Sequence, residues 1–302
     1  MLLAAGEGSR LGIPKAVVEL GGRRLADRGA QLLRDGGAAP VLVVTGAGNG
    51  VGRAVALEAI RRGAKVAGVD ISQAGLDETA KLAGPVDRFS THALDITDKS
   101  AVDALPEQVR ARFGEVDGLV HLAAIIHPFL RVKDLDDATI ERVINVNWWG
   151  TVYLDRAFLP VLLERPEGHI VNTSSMGGFI PVPGQTIYGA SKAAVKLFTE
   201  GLYAECRGTR VHVTVVMPGG MSTNMPANSG VTVDIDPAKA AELAKNLTTP
   251  EGAANAILDG MEKNAYRVLV GRDAKLMDIL YRVYPKGASN FIARQMKGLI
   301  PD

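Results

Sequence analysis

Val41-Leu42-Val43-Val44-Thr45-Gly46-Ala47-Gly48-Asn49-Gly50-Val51-Gly52 is the stretch on which the reading of this chain turns. Four consecutive apolar residues, three of them β-branched, suit a strand covered on both faces. Glycines then alternate with small residues, so the backbone can turn tightly, and an apolar helix running toward Gly63 starts at once. Strand, glycine turn and helix start are contiguous. Free N–H groups and the helix dipole at such a junction favour a pyrophosphate. Asp70 closes the next apolar run, 24 residues after Gly46, where a carboxylate can accept hydrogen bonds from adenosine ribose hydroxyls. Glycines alone are a weak signal, and the strand before them and the acid after them supply the context.

Outward from this stretch, short Val/Ala/Leu-rich runs alternate with amphipathic segments from residue 40 onward. This is the pattern of repeated strand-helix units around a parallel sheet. Strands are predicted at 41–45, 65–70, 87–93, 117–123, 168–173, 211–216 and 267–270. Helices are predicted at 50–62, 73–82, 98–113, 136–162, 186–207 and 249–263. The fold class is therefore α/β, a doubly wound parallel sheet (Rossmann type) of about seven strands with helices on both faces. Residues 219–248, rich in Met, Gly, Asn, Ser and Pro, read as a mobile flap ending in an Ala/Lys-rich helical turn. Residues 273–284 have helical apolar spacing with cationic flanks. They suit a core- or partner-facing helix, with a cover for the substrate entrance or a lipid contact as the alternatives.

The 302 residues carry 34 Lys+Arg against 33 Asp+Glu, a formal net charge of +1, with 22% charged and 47% hydrophobic residues. No basic block marks a nucleic-acid footprint, so the expected partner is a small molecule. No apolar run approaches the roughly 20 residues of a membrane-spanning helix. The first residues lack the basic lead of a secretory signal. Cys206 is the only cysteine, which excludes an internal disulfide and a cysteine-rich zinc site. A cytoplasmic protein without a bound metal is expected.

Tyr188 and Lys192, in Tyr188-Gly189-Ala190-Ser191-Lys192, share a helical face at i, i+4. An ammonium beside a phenol favours the phenolate and is expected to bring its pKa down toward neutral. Taken alone, the pair would equally suit a plain helix surface. Ser175 ends the run Ile170-Val171-Asn172-Thr173-Ser174-Ser175, where a hydroxyl can stabilise charge developing on a substrate oxygen.

With the pattern Thr-Gly-x-x-x-Gly-x-Gly at residues 45–52, these features resemble the short-chain dehydrogenase/reductase family in its compact branch. The matching motifs span residues 41–223 in family order. The resemblance implies that Asn147, Ser175, Tyr188 and Lys192 are catalytic, Asn147 through a water on its backbone carbonyl. It further implies that Thr45, Gly46, Gly48, Asn49, Gly50, Val51, Gly52, Asp70, Asp95, Ile96, Ala123, Tyr188, Lys192, Pro218, Gly219 and Thr223 hold the cofactor. Asp95 equally suits a plain surface position. Asn145 and Ser174 are neighbours rather than actors. The family's Asn-Asn-Ala-Gly is here His121-Leu122-Ala123-Ala124, and His121 reads as a partly buried structural histidine near the adenosine half rather than a base. Asp70 should repel a 2′-phosphate, which favours NAD(H) over NADP(H), although Arg53 lies close by.

The expected activity is an NAD-dependent interconversion of a secondary alcohol and a ketone. Met176, Phe179, Val182, Met221 and Met225 flank the site and suggest an apolar substrate. Self-association as a dimer or tetramer is implied by the resemblance only. The opening Leu2-Leu3-Ala4-Ala5-Gly6-Glu7-Gly8-Ser9-Arg10-Leu11-Gly12-Ile13-Pro14-Lys15 resembles the start of a molybdopterin-guanylyltransferase-like nucleotidyltransferase over about 45 residues. Residues 1–39 are accordingly read as an extension and 40–302 as one dehydrogenase domain. The rival functions are a nucleotidyltransferase-derived fusion and a noncatalytic dinucleotide-binding protein.

Overall fold

Successive strand residues point to opposite faces of a sheet, so an unbroken apolar run such as Val41–Val44 is stable only when both faces are covered. The computed structural model shows that arrangement, and describes residues 19–20, 23–24, 39–84, 87–232 and 247–296. The chain divides into two units, Met1–Pro40 and Val41–Asp302. In the first, Glu19–Leu20 pairs antiparallel with Arg23–Arg24. The glycine-rich segment at 6–15 lies outside the described residues.

The second unit runs β1 (Val41–Thr45), α1 (Gly50–Arg61), β2 (Lys65–Asp70), α2 (Gln73–Ala83), β3 (Phe89–Ala93), α3 (Lys99–Phe113) and β4 (Gly118–His121). It continues with α4 (Asp137–Ile144), α5 (Gly150–Leu163), β5 (Gly168–Thr173), α6 (Thr186–Glu205), β6 (Val211–Pro218) and α7 (Met225–Asn228). The last described elements are α8 (Pro250–Glu262), β7 (Arg267–Val270), α9 (Arg272–Val283) and α10 (Pro285–Gln295). Seven strands form one sheet in the order β3-β2-β1-β4-β5-β6-β7, every neighbouring pair parallel. This is the predicted doubly wound sheet.

The strand alternation sorts the core into two layers. Leu42, Val44, Val120 and Val171 meet α1 and α8 through Val55, Ala59 and Ile257. Val43, Leu119, Ile170 and Val213 meet α3, α5 and α6 through Leu105, Phe158 and Leu202. At ~25 cal/mol per Å² of apolar area buried, these two layers are the main force holding the strands in register. Helix starts are capped as their sequences suggest. Ser72 accepts from Gly75 N, Asp98 from Ser100 N and Ala101 N, and Thr249 from Gly252 N, each satisfying donors the helix cannot.

Several predicted bounds shift by a residue or two, the third strand beginning at Phe89 and the sixth running on to Pro218; two elements differ for a visible reason. The fourth strand ends at His121 rather than residue 123, because the next two amides leave the ladder and donate to the Thr45 hydroxyl. The helix predicted over 136–162 is broken by one π turn, Asn145–Trp149, where Gly150 N–H reaches back to Asn145 O. Periodicity alone cannot show such a turn. It is fixed by Asn147, whose side chain bonds both the N–H and the C=O of Ile125, at 2.9 Å each.

Of the predicted flap, the described parts are 219–232 and 247–248. Met221 bridges to Thr248, and the Ala/Lys-rich turn lies outside the described residues. Among the described residues no helix is long and apolar enough to cross a membrane, and no cluster of His, Cys, Asp or Glu is arranged to hold a metal ion.

Candidate active site

The strand order reverses between β1 and β4, and in open α/β sheets the crevice at such a reversal, beyond the strands' carboxyl ends, is where ligands sit. A cavity of about 980 Å³ occupies that crevice. Of the residues predicted from sequence to form the site, all line it except Thr45, Gly48 and Asn147. Those three stand behind the wall and shape it.

At one end the glycine turn is compressed against its own helix. A Cβ on Gly52 would lie 2.0 Å from Gly46 O, and Gly46 itself has φ 70°, so neither position accepts a side chain without moving the turn. Gly48 N–H donates to Asp70 Oδ2 at 2.9 Å, and Ser72 N–H donates to Oδ1 at 2.9 Å. Gly48 therefore holds the carboxylate at the end of β2 rather than facing the cavity. Arg53 is committed elsewhere, to Gly48 O at 2.5 Å, Thr79 Oγ1 at 3.0 Å and Glu78 at 2.7 Å. It does not line the cavity, and beside Asp70 stands the exposed, uncharged Ile71.

At the other end, Tyr188 stands in the first turn of α6 with Lys192 one turn further on. Lys192 is 1% exposed, and its Nζ donates to Thr173 O at 2.8 Å. An ammonium has three N–H donors. Thr173 O is the acceptor among the described residues, which leaves donor capacity at the cavity wall. Burial pushes the Lys192 pKa down to about 7.

Burial also pushes the Tyr188 phenol up, with the nearby Ser175 hydroxyl opposing. The expected lowering by the neighbouring ammonium is thus corrected, since withdrawal from water is the larger effect. Ser175 accepts from Gly177 N–H at 3.0 Å. Its neighbour Ser174 donates to Lys192 O at 2.7 Å and ties α6 to β5.

Asn147 is fully buried, and besides Ile125 its amide reaches Ser191 Oγ at 3.1 Å. Ser191 in turn donates to Tyr188 O at 2.7 Å. Thr151 Oγ1 donates to the Asn147 carbonyl at 2.7 Å. Asn147 therefore sets the loop after β4 and the start of α6, while Asn145 is the one on the cavity wall.

His121 sits differently from the expectation. It is 1% exposed rather than partly buried. Burial, and then the charge of Lys192, bring its pKa down to about 3. Its protonation follows from a count of donors. Thr45 Oγ1 accepts from Leu122 N–H at 3.0 Å and Ala123 N–H at 3.2 Å, which uses both its lone pairs. Its own proton must then go to His121 Nδ1, 2.7 Å away. The neutral ring carries its proton on Nε2, an atom with no partner among the described residues. Long-range ¹⁵N–¹H correlation spectra should show Nδ1 bare and Nε2 protonated across the neutral pH range, whereas a signal from protonated Nδ1 would overturn the assignment.

A second cavity of about 200 Å³ adjoins Ser175 and Tyr188 and is walled by Phe129, Met176 and Val182. Of the apolar residues expected to flank a substrate, Met176 and Val182 line this cavity, Met221 and Met225 line the larger one, and Phe179 packs instead against the C-terminal helices. Gln185, missed in the sequence, also lines the smaller cavity. Its Nε2 donates to His127 O at 2.6 Å, and its buried Oε1 has no partner among the described residues. A glutamine before a helix start carries no sequence signal of this kind. Also missed was the strap after β6, where Asn228 donates to Asn49 Oδ1 at 2.8 Å and Ser229 Oγ accepts from Ile126 N–H at 3.1 Å.

A family model described as short chain dehydrogenase matches residues 40–234, and one described as a MobA-like NTP transferase domain matches residues 1–76. The chain is similar to a Mycobacterium tuberculosis protein named as the oxidoreductase SadH, 38% identical over 267 residues, which are 86% of this chain and 96% of that one. Among solved structures, the 3-ketoacyl-(acyl-carrier-protein) reductase from Brucella melitensis complexed with NADH matches with TM-score 0.70 and 27% identity, over 77% of this chain and 96% of its own. A short chain dehydrogenase from Burkholderia cenocepacia in complex with NADP matches with TM-score 0.69 and 26% identity, over 84% of this chain and 97% of its own.

Proposed function

The chain belongs to the short-chain dehydrogenase family, and from that premise we propose that it interconverts a secondary alcohol and a ketone with NAD(H), with Tyr188 as the proton-transferring group. The observation that carries this reading is the meeting of Ser175, Tyr188 and Lys192 on the wall of one cavity that also reaches Asp70 and the glycine turn.

The residues fit a dinucleotide. A turn that excludes side chains leaves backbone N–H groups for a pyrophosphate. Asp70, pinned by two amides, faces the far end of the cavity, and Lys192 has N–H groups to spend on ribose hydroxyls. Gly46, Asn49, Gly50, Val51 and Gly52 would cradle the phosphates, Asp95, Ile96 and Ala123 the adenosine side, and Pro218, Gly219 and Thr223 the carboxamide. Thr45 and Gly48 act from behind by fixing the turn. Bound there, the nicotinamide supplies the hydride acceptor or donor.

The protein supplies the proton chemistry. Ser175 donates to the substrate oxygen and stabilises charge on it as the C–H bond breaks or forms. Tyr188 takes the hydroxyl proton in oxidation and returns it in reduction. Lys192, titrating near 7, can take on positive charge in the neutral range and so support the phenolate one turn away. Asn147 keeps the loop after β4 and the tyrosine's helix in place. The apolar walls of the smaller cavity favour an apolar substrate body.

NAD is preferred over NADP because Asp70, on the cavity wall, would receive the ribose hydroxyls and repel a 2′-phosphate, while Arg53 is committed beneath the turn. Asp70→Ser should weaken NADH binding by about tenfold to a hundredfold, the value of a charge-assisted hydrogen bond, with little loss for NADPH. Fluorescence titration with both cofactors checks this, and equal losses for the two would remove the argument. We further propose residues 1–39 as an extension to a dehydrogenase domain at 40–302. An absorbance screen at the NADH band over aliphatic, cyclic and polycyclic alcohols tests the activity. Turnover of none, with NADH bound, would leave a noncatalytic binding protein.

A further inference from the structure

The two C-terminal helices α9 and α10 present two unlike faces. The inner one is core. Met277 and Ala288 are buried and, with Leu280, Tyr281 and Ile292, pack on Met176, Phe179 and Ile180, the segment directly after Ser175. Asp273 accepts from Gly220 N–H at 2.6 Å, so the start of α9 is pinned to the turn that follows β6. Gly220 and Met176 both line the smaller cavity. The helix pair is therefore built onto the wall of the space beside Tyr188.

The outer face has the opposite character from a solvated helix surface. Leu276, Ile279 and Val283 are 60%, 63% and 80% exposed, and Tyr284 and Phe291 add 62% and 45%. The spacing 276, 279, 283 makes one stripe along α9. Residues 272–295 hold the cations Arg272, Lys275, Arg282, Lys286 and Arg294, against the carboxylates Asp273 and Asp278 only. Asp273 is turned inward onto Gly220, and Asp278 is paired with Arg282 at 3.0 Å. Among the described residues, Arg272, Lys275, Lys286 and Arg294 form no ion pair. The surface is an apolar stripe edged by uncompensated positive charge.

We propose that the outer face of α9 and α10 docks on an anionic lipid bilayer surface, with the stripe at the boundary of headgroups and acyl chains and the cations against lipid phosphates, so that an apolar substrate passes from lipid to the cavity beside Tyr188. The second half rests on the dehydrogenase reading; the docking itself does not. Charge decides the occupant. A second copy meeting this face about a two-fold axis would set one cationic edge against another, a repulsion that a lipid surface of negative potential turns into attraction. Both features of an interfacial helix are present, an apolar face and Lys/Arg beside it.

The test is co-sedimentation of the full chain, with NADH bound, on vesicles of phosphatidylcholine alone or with about one-third phosphatidylglycerol, at low and high salt. The expected result is at least about tenfold tighter binding to the anionic vesicles, lost at high salt. The triple variant Leu276→Ser, Ile279→Ser, Val283→Ser alters solvent-facing positions. It should keep its melting temperature and NADH affinity, lose vesicle binding, turn over a water-soluble alcohol as the parent does, and turn over a lipid-dissolved alcohol about fivefold more slowly. Equal binding to neutral and anionic vesicles overturns the proposal, as does retained binding in the triple variant. Sedimentation velocity showing a dimer that the triple variant abolishes would also overturn it, in favour of a second copy. Vesicle binding with no turnover of any alcohol would sink the dehydrogenase reading and leave the docking standing.

Discussion

Tyr188→Phe is expected to lower kcat and kcat/KM together by about a thousandfold, the range of a lost general acid–base group, while NADH affinity changes by less than about threefold. The reason is geometric. The phenol stands at the junction of the two cavities, beside Ser175, and its ring meets the wall that phenylalanine would also make. Only the oxygen is lost. The fold should hardly respond, since Asn147 and Ser191 organise this turn of α6 through backbone atoms that the substitution leaves untouched. Steady-state kinetics with any alcohol that the parent oxidises, together with NADH fluorescence titration, checks both halves. A phenylalanine variant of near-normal kcat would show that another group moves the proton.

Lys192→Met is expected to abolish turnover to a similar extent and, unlike most core substitutions, to make the ligand-free protein more stable. Burial lowers the lysine's pKa from 10.5 to about 7, so the folded state holds this proton less firmly than the unfolded chain does. Between those values the unfolded state binds more protons, and stability rises with pH. The full penalty is present below about pH 7 and is relieved toward pH 10.5. Every tenfold loss of proton affinity on folding corresponds to about 1.4 kcal/mol. Methionine fills nearly the same volume without the charge, but leaves Thr173 O without its donor, which costs about 1–2 kcal/mol. The net gain expected near pH 6 is about 3 kcal/mol. Urea titrations of both proteins from pH 6 to 10 measure it, and the gap between them should close as pH rises. A variant less stable than its parent at pH 6 would mean that the ammonium is better solvated than its surroundings indicate.

The pKa directions also show where a reading of spacing stops. Tyr188 and Lys192 were legible as a pair because i, i+4 on a helix is a local relation. Whether the ammonium lowers the phenol's pKa depends on the water each has lost, and that is set by β5, the strap after β6 and the segment after Ser175, all distant in sequence. Asn147 shows the same limit. Its place before Gly150 was readable, but the π turn that carries it, and the Ile125 backbone it holds, come from packing across 22 residues of sequence.

By itself the sequence determined the order of strands and helices, the parallel doubly wound sheet, the glycine turn with its acid, and the shared helical face of Tyr188 and Lys192, because each of these is written in apolar periodicity, backbone-permissive residues or spacing within one element, whereas Ser175 joined the pair only through the family resemblance. The tertiary structure alone decided that Arg53 is spent beneath the turn, that His121 is sealed behind Thr45 with its proton on Nε2, that Gln185 Oε1 is buried without a partner among the described residues, and that the C-terminal helices turn an apolar, cationic face outward. These depend on which groups meet across the fold and on how much water reaches them, and neither quantity is carried by neighbours in the chain.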